Sequence, residues 1–264
     1  MSSERAKTWA DLQELLFGGM WNDRLGRFRS DAVYRGEGRA SNELTTSLQR
    51  LGGDYAELER HLLRNFRKYA HRGAVPREST WHWLALAKHH GLPTRLLDWS
   101  HSPYVALHFA TENPALLEED GVVWAVDYVR ASTQLPPALR DVLSTEGSNT
   151  FTAEMIDRAA TTLSELDALA SGDEFVVFYE PPSLDERITN QFAAFSFMSS
   201  ATARLDQWLE RHPELFRRIE IPAAIKRETR DKLDQANITE RVLFPGLEGI
   251  ARWLARHYAP RAHE

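Results

Sequence analysis

An α+β fold, with mixed central strands and surrounding helices, is predicted from three features of the chain. Apolar stripes at helical spacing alternate with short runs rich in β-branched and aromatic residues, no low-complexity linker separates them, and no internal repeat sets a period. With 264 residues, eight Trp and twelve Phe, the chain can bury a substantial core. A single domain over 1–264 is expected, in which a helical segment over 1–30 leads into a core over 31–264 that ends in C-terminal helices.

The elements follow in order. A helix is expected over 8–17, then a short strand over 31–35 with Gly36 and Gly38 marking a turn after it. Leu58, Leu62, Leu63, Phe66 and Tyr69 set a helical stripe through 54–70. Ser79 caps the next helix, which carries Trp81, Leu84 and Leu86 and stops at Gly91 before Pro93. Ser102 and Pro103 start a helix over 104–111 whose apolar positions are Val105, Ala106, Phe109 and Ala110. Strands are expected over 122–128, 175–179, 191–197 and 217–221, with helices around 151–170 and 202–210. Pro222 opens a helix to about Leu233, and Phe244, Pro245 and Gly246 precede a last helix ending near Tyr258. This tail is expected to complete the core.

Composition bounds the function. The absence of cysteine excludes disulfides, thiolate metal sites and a cysteine nucleophile. No apolar run follows Met1 and none approaches a membrane span, so a cytoplasmic protein without a membrane partner is expected. A net charge of -6 argues against a dominant basic surface, although a local cluster can still meet a nucleic acid. The phosphate-cradling glycine loops of nucleotide-binding folds and the Gly-x-Ser-x-Gly nucleophile turn are absent.

Two segments carry chemistry. His89-His90-Gly91-Leu92-Pro93-Thr94-Arg95-Leu96-Leu97-Asp98-Trp99-Ser100 packs a helix stop, a stiffened turn and a charged strand into twelve residues. In Tyr34-Arg35-Gly36, an arginine ends an apolar strand. A guanidinium is permanently charged and presents a planar fork that fits phosphate, so the two segments together suggest an anion-reading pocket. The competing role for Arg35 is a structural salt bridge. If 95–99 is extended, Arg95, Leu97 and Trp99 share one face while Leu96 and Asp98 share the other, so Arg95 and Asp98 each need a separate partner. Their plainer roles are satisfaction of buried carbonyls by Arg95 and capping of a turn by Asp98. Adjacent His89 and His90 point about 100° apart on a helix, no His-Glu-x-x-His spacing occurs, and no metal ligand set is expected. A metal-assisted hydrolase using the histidines and Asp98 is the minor alternative. Ser100 reads as a hydrogen-bonding group where the following helix starts, not as a nucleophile.

These residues resemble the FRG-domain proteins, named for a Phe-Arg-Gly signature that stands here as Tyr34-Arg35-Gly36. The resemblance extends over Trp83, the His89 to Ser100 block, Ser102-Pro103 and Ala106-Leu107-His108-Phe109-Ala110. It continues in Arg187-Ile188, Gln191, Phe195 and Leu243-Phe244-Pro245-Gly246-Leu247. A weaker resemblance is to ADP-ribosyltransferases, which place an arginine, a hydroxyl residue and a glutamate on successive core strands around NAD. It implies an ADP-ribosyltransferase-like fold and NAD as substrate, with Arg35 on the NAD phosphates or ribose, Ser100 near the second position and Gln191 near the third. Arg35, Asp98 and Gln191 are then the expected catalytic residues. Tyr34, Arg35, Gly36, His90, Thr94, Arg95, Trp99 and Ser100 are those expected to bind NAD. A glutamine is neutral, so Asp98 is the expected substitute carboxylate, with Glu180 and Glu186 behind it. The resemblance further implies an acceptor that is nucleic acid, protein or water, and use as a toxin or phage-defence effector with an antitoxin as partner. The alternative from another class is a non-catalytic NAD or ADP-ribose-binding or interaction module.

Overall fold

The computed structural model describes residues 3–71, 74–75, 78–183 and 185–259. Its mixed central sheet contains β1 (Glu4–Arg5), β4 (Ala32–Glu37), β5 (Leu97–Ser100), β6 (Gly121–Asp127), β7 (Val176–Tyr179), β8 (Ala193–Met198) and β9 (Phe216–Ile221). A separate hairpin is formed by β2 (Trp21–Asn22) and β3 (Arg27–Phe28). The sheet order is β1-β9-β6-β4-β5-β8-β7; only the β1 to β9 pairing is parallel. Among the described residues no helix is long and apolar enough to cross a membrane.

One seam divides this sheet. β4 pairs with β6 at six consecutive positions, yet with β5 only at Tyr34 and Ser100, after which the two strands part. One face of the sheet stays continuous across the seam, with Val33, Trp99, Val122, Trp124, Val176 and Phe178 in one apolar cluster. The other face is covered in two pieces. Tyr34, Val123 and Ile219 pack under α1 (Trp9–Phe17), α4 (Pro103–Thr111) and the Ala223–Gln235 helix, through Leu12, Ala106 and Leu233. Val177, Phe195 and Phe197 pack under α2 (Tyr55–Tyr69), α3 (Thr80–His89) and the helices between 137 and 168. A cavity opens where the pieces meet.

Local signals set most of these elements. Thr8 and Asp11 form a reciprocal capping box on α1, Ser79 accepts from the Trp81 amide at the start of α3, and Pro103 occupies the first turn of α4. Packing corrects other expectations. Gly36 does not turn the chain: β4 runs through it to Glu37, and a Cβ there would lie 1.8 Å from the Ala106 carbonyl oxygen. The glycine is needed for close approach of α4 to the strand. In α2 only Glu59 and Leu63 are buried, while Leu58 and Tyr69 face solvent. The expected strand over 191–197 begins later, at Ala193, because Gln191 ends the Glu186–Asn190 helix and Phe192 adopts a φ of 46°. The span 151–170 holds two helices, Ala153–Ala159 and Leu163–Ala168. The last helix, Leu247–His257, buries only Gly249 and leaves Leu247 and Ile250 exposed, so it does not complete the apolar core. Arg256 instead ties it down, bonding Asp234 and Glu240.

Candidate functional site

The cavity at the seam has a volume of about 470 Å³, within the range of small-molecule sites. Tyr34, Arg35, Gly36 and Glu37 of β4 and Asp98, Trp99 and Ser100 of β5 line it. Lys88 and His89 arrive from the end of α3, Val105 and Phe109 from α4, Arg187 and Gln191 from the segment leading into β8, and Phe195 from β8 itself.

Arg35 spans the gap that the parting strands leave. Its Nη1 donates to the Asp98 carbonyl oxygen at 2.8 Å, satisfying an acceptor at the seam, and its Nε donates to Glu37 Oε1 at 2.8 Å. Asn42 Nδ2 donates to the other Glu37 oxygen at 3.2 Å. Alternation along β4 puts Arg35 and Glu37 on one face, so Arg35 is both the salt-bridged residue and a lining residue.

Asp98 extends into the cavity with its side chain 56% exposed. Lys88 Nζ lies 2.7 Å and Arg35 Nη1 4.0 Å from its Oδ2. The protein packed around this carboxyl pushes its pKa up, but Lys88, Arg35 and Arg187 together outweigh that and hold it below the ordinary carboxylate value. Asp98 is therefore an anion at neutral pH, with a lysine and not Arg95 as its nearest cation.

The rim is fixed from behind by Lys226. Its ammonium is fully buried and donates to the carbonyls of Gly38, Leu116 and Glu119 at 2.8, 2.6 and 2.8 Å. All three donors are used, which makes burial of the charge tolerable. Burial lowers the Lys226 pKa, while Glu119 and Asp120 act in the opposite direction. The bonds tie the end of β4 to the segment carrying Leu116, so both edges of that wall are held by one side chain.

Several expected residues hold other places. Arg95 lies outside the cavity, 4% exposed, with Nη2 2.6 Å from Glu59 and Nη1 2.6 Å from Asp167. Thr94 and His90 are also outside the lining; the Thr94 carbonyl accepts from Ser47 and Leu48, and His90 faces Phe66. His89 is the histidine that reaches the cavity, with Nε2 2.6 Å from Asp185. The Ser100 hydroxyl donates to the Gln191 carbonyl at 2.7 Å and accepts from the Ser102 amide at 2.9 Å, the helix-start role read for it. Gln191 lines the cavity but spends its side-chain amide on the Leu243 carbonyl at 2.9 Å. It also sits at a helix end and not on a strand, so the third-strand position expected for it is corrected. Glu180 and Glu186 do not line the cavity; Glu37 does. Among the described residues no group of three His, Asp or Glu is placed to hold a metal ion. His108 is fully buried beside Arg230, whose Nη1 lies 2.8 Å from Nδ1. A guanidinium only donates, so Nδ1 accepts there.

Glu37, Lys88 and Arg187 were missed by reasoning from motifs. Glu37 was within reach, because a residue two after Arg35 on a strand shares its face. Lys88 left no local signal, and Arg187 stood in the resemblance without a role assigned to it, since long-range folding brings both to the cavity that Asp98 lines.

Comparison with known families identifies the middle of this assembly. No curated protein and no solved structure matches the chain. The family model of the FRG domain matches residues 30–119, which hold both parted strands, the end of α3 and the α4 wall, whereas Arg187, Gln191 and Phe195 lie beyond the match. Residues 30–119 thus match the FRG domain, and the matched region builds most of the cavity.

Proposed function

We propose that the chain is an NAD-dependent ADP-ribosyltransferase or NAD glycohydrolase working in the cavity between β4 and β5. The observation that carries this reading is Asp98, an ionised carboxylate facing a cavity walled by Trp99, Phe109 and Phe195, with Glu37 beside it. The lining fits the substrate's chemistry: apolar rings for nicotinamide, carboxylates for ribose hydroxyls, and cations for the pyrophosphate. Arg35 is committed to Glu37 and the Asp98 carbonyl, so its task is positioning. Lys88 and Arg187 are the cations with donors to spare, since Lys88 bonds Asp98 alone and Arg187 rests over the Phe244 ring.

In the reaction the bond between nicotinamide nitrogen and the ribose carbon breaks, and its electron pair leaves with nicotinamide. An acceptor lone pair, or that of water, forms the new bond to the same carbon and the acceptor's proton passes to solvent. Positive charge builds at the ribose carbon meanwhile, and a fixed carboxylate lowers that barrier electrostatically. Loss of cellular NAD by this route would suit a toxin or phage-defence effector restrained by an antitoxin.

One observation favours a second reading, a module that binds NAD or ADP-ribose without turning it over. Gln191 is tied to the tail, and both carboxylates facing the cavity from β4 and β5 already hold cations.

The test is release of nicotinamide from NAD, followed by chromatography beside binding of NAD by calorimetry. Turnover in the native chain that falls at least about 100-fold in Asp98→Asn, with binding retained, supports the transferase. Binding without release assigns the module. Neither binding nor release overturns both.

A further inference from the structure

We infer that Glu112, steered from inside the protein by His108 and Arg230, takes the proton that a water or hydroxyl acceptor gives up in the cavity. The inference rests on the transferase reading above and extends it, because that reaction releases a proton for which no residue has yet been assigned.

Among the described residues three carboxylates line the cavity: Glu37, Asp98 and Glu112. Arg35 Nη2 lies 2.7 Å from Glu37, and Lys88 Nζ lies 2.7 Å from Asp98. A cation at that distance favours the ionised carboxylate, which suits it to face positive charge at the ribose carbon and makes it a poor proton acceptor. Glu112 differs. It directly follows α4, its side chain is 36% exposed, and its one polar contact among the described residues is with His108 Nε2 at 3.4 Å. Its oxygens therefore keep lone pairs free to accept a proton. Carboxylates in one cavity then take separate roles, set by what surrounds each.

The contact with His108 is built from the interior outward. His108 is fully buried, and its Nδ1 accepts from Arg230 Nη1 at 2.8 Å. Because a guanidinium only donates, the ring's one proton sits on Nε2. That N–H is buried without a hydrogen-bond partner, and Glu112 Oε2 lies 3.4 Å from it. An orphaned buried donor is costly, so closing this gap is favourable; catalytic hydrogen bonds that are long in the free enzyme tighten in this way when substrate binds. Arg230 is fixed in turn, 4% exposed, with Nη2 donating to Asp234 at 3.1 Å and to the Ile238 carbonyl. A surface ion pair at the spacing of 108 and 112 would need neither a buried ring nor an arginine behind it.

The proton transfer balances as follows. As nicotinamide leaves with its electron pair, an oxygen lone pair of the acceptor forms the new bond to the ribose carbon. The acceptor's O–H bond breaks, its electrons stay on oxygen, and the proton passes to Glu112 and then to solvent. His108 is a positioning residue: its N–H holds one Glu112 oxygen and leaves the other to the acceptor.

The experiment measures nicotinamide release at varied NAD for the native chain and for Glu112→Gln, Asp98→Asn, His108→Gln and His108→Phe. Glu112→Gln should lower kcat at least about 100-fold with KM for NAD near native. His108→Gln keeps an N–H donor near the Nε2 position and should retain more turnover than His108→Phe. Ring-nitrogen NMR of the native chain depends on neither turnover nor the folding of a variant; His108 should carry its proton on Nε2 alone, and a proton on Nδ1 overturns the inference. Native kcat in Glu112→Gln, with or without a raised KM, also overturns it, and equal turnover in the two His108 variants removes the positioning role. Asp98→Asn separates the failures. If it loses turnover while Glu112→Gln does not, only this inference falls; if neither loses turnover, or the native chain releases no nicotinamide, the transferase reading falls with it.

Discussion

Arg35 and Arg95 come from the two segments that carry the chain's chemistry, and both are held by carboxylates, yet one faces a cavity and the other is shut inside the protein. The partners of Arg95 come from far along the chain, Glu59 on α2 and Asp167 on the Leu163–Ala168 helix, so closing the ion pairs also closes the protein around them. The charged partner of Arg35 is Glu37, two residues along its own strand, and nothing has to cover the pair for it to form. Arg95 is a cross-link between helices. Arg35 bridges β4 to the Asp98 carbonyl where the two strands have parted, and it lines the cavity. An arginine in a motif therefore says little about function until its partners are known.

The sharpest way to break this contrast is to delete each guanidinium. Arg95→Ala leaves the buried Glu59 carboxylate unpaired and should cost about 3–5 kcal/mol. Arg35→Ala, at the edge of a cavity that admits water, should cost about 2 kcal/mol or less. Urea denaturation of both variants decides it, and equal losses would erase the distinction between cross-link and site.

A second measurement sharpens the cavity side. Asp98 has a folded pKa below its ordinary value of 3.8. Its contribution to stability is therefore full above that value and is lost as pH falls through the lower folded one. Asp98→Asn should flatten this acid limb, which lies below about pH 4. Lys88→Met should move the Asp98 titration upward in a carbon-detected NMR series, because burial then acts with less opposition. A titration that stays in place would show that Lys88 is not the cation holding the charge.

The smallest effect concerns the wall supplied from beyond the matched region. Gln191→Ala removes one neutral hydrogen bond to the tail and should cost about 1 kcal/mol, with faster amide exchange confined to Glu240–Leu243 and Leu247–His257. Unaltered exchange there would mean that the amide does not latch the tail.

Much of the fold was legible because its signals are local. The Thr8 and Ser79 caps, Pro103 at the start of α4 and the apolar runs that became β6, β7 and β9 each act within a few residues. Arg95 and Asp98 do hold separate partners, but Arg95 sits at a bend before β5, so the alternation expected over 95–99 is not what parts them. Gly36 was misread because its reason is a helix seventy residues away. The stripe on α2 was misread because its buried face is centred on Glu59, placed there to meet Arg95.

By itself the sequence determined the α+β class, the caps and stops of its helices, and an FRG signature in which Arg35 and Asp98 are the residues to watch. Tertiary structure decided which charged groups share a space. It parted β4 from β5 after one pair, brought Lys88, Arg187 and Glu37 to Asp98, and took Arg95 away. The physical reason is range. Caps, turns and side-chain alternation depend on neighbours in sequence, whereas an ion pair or a cavity depends on where distant elements pack, and only the folded chain fixes that.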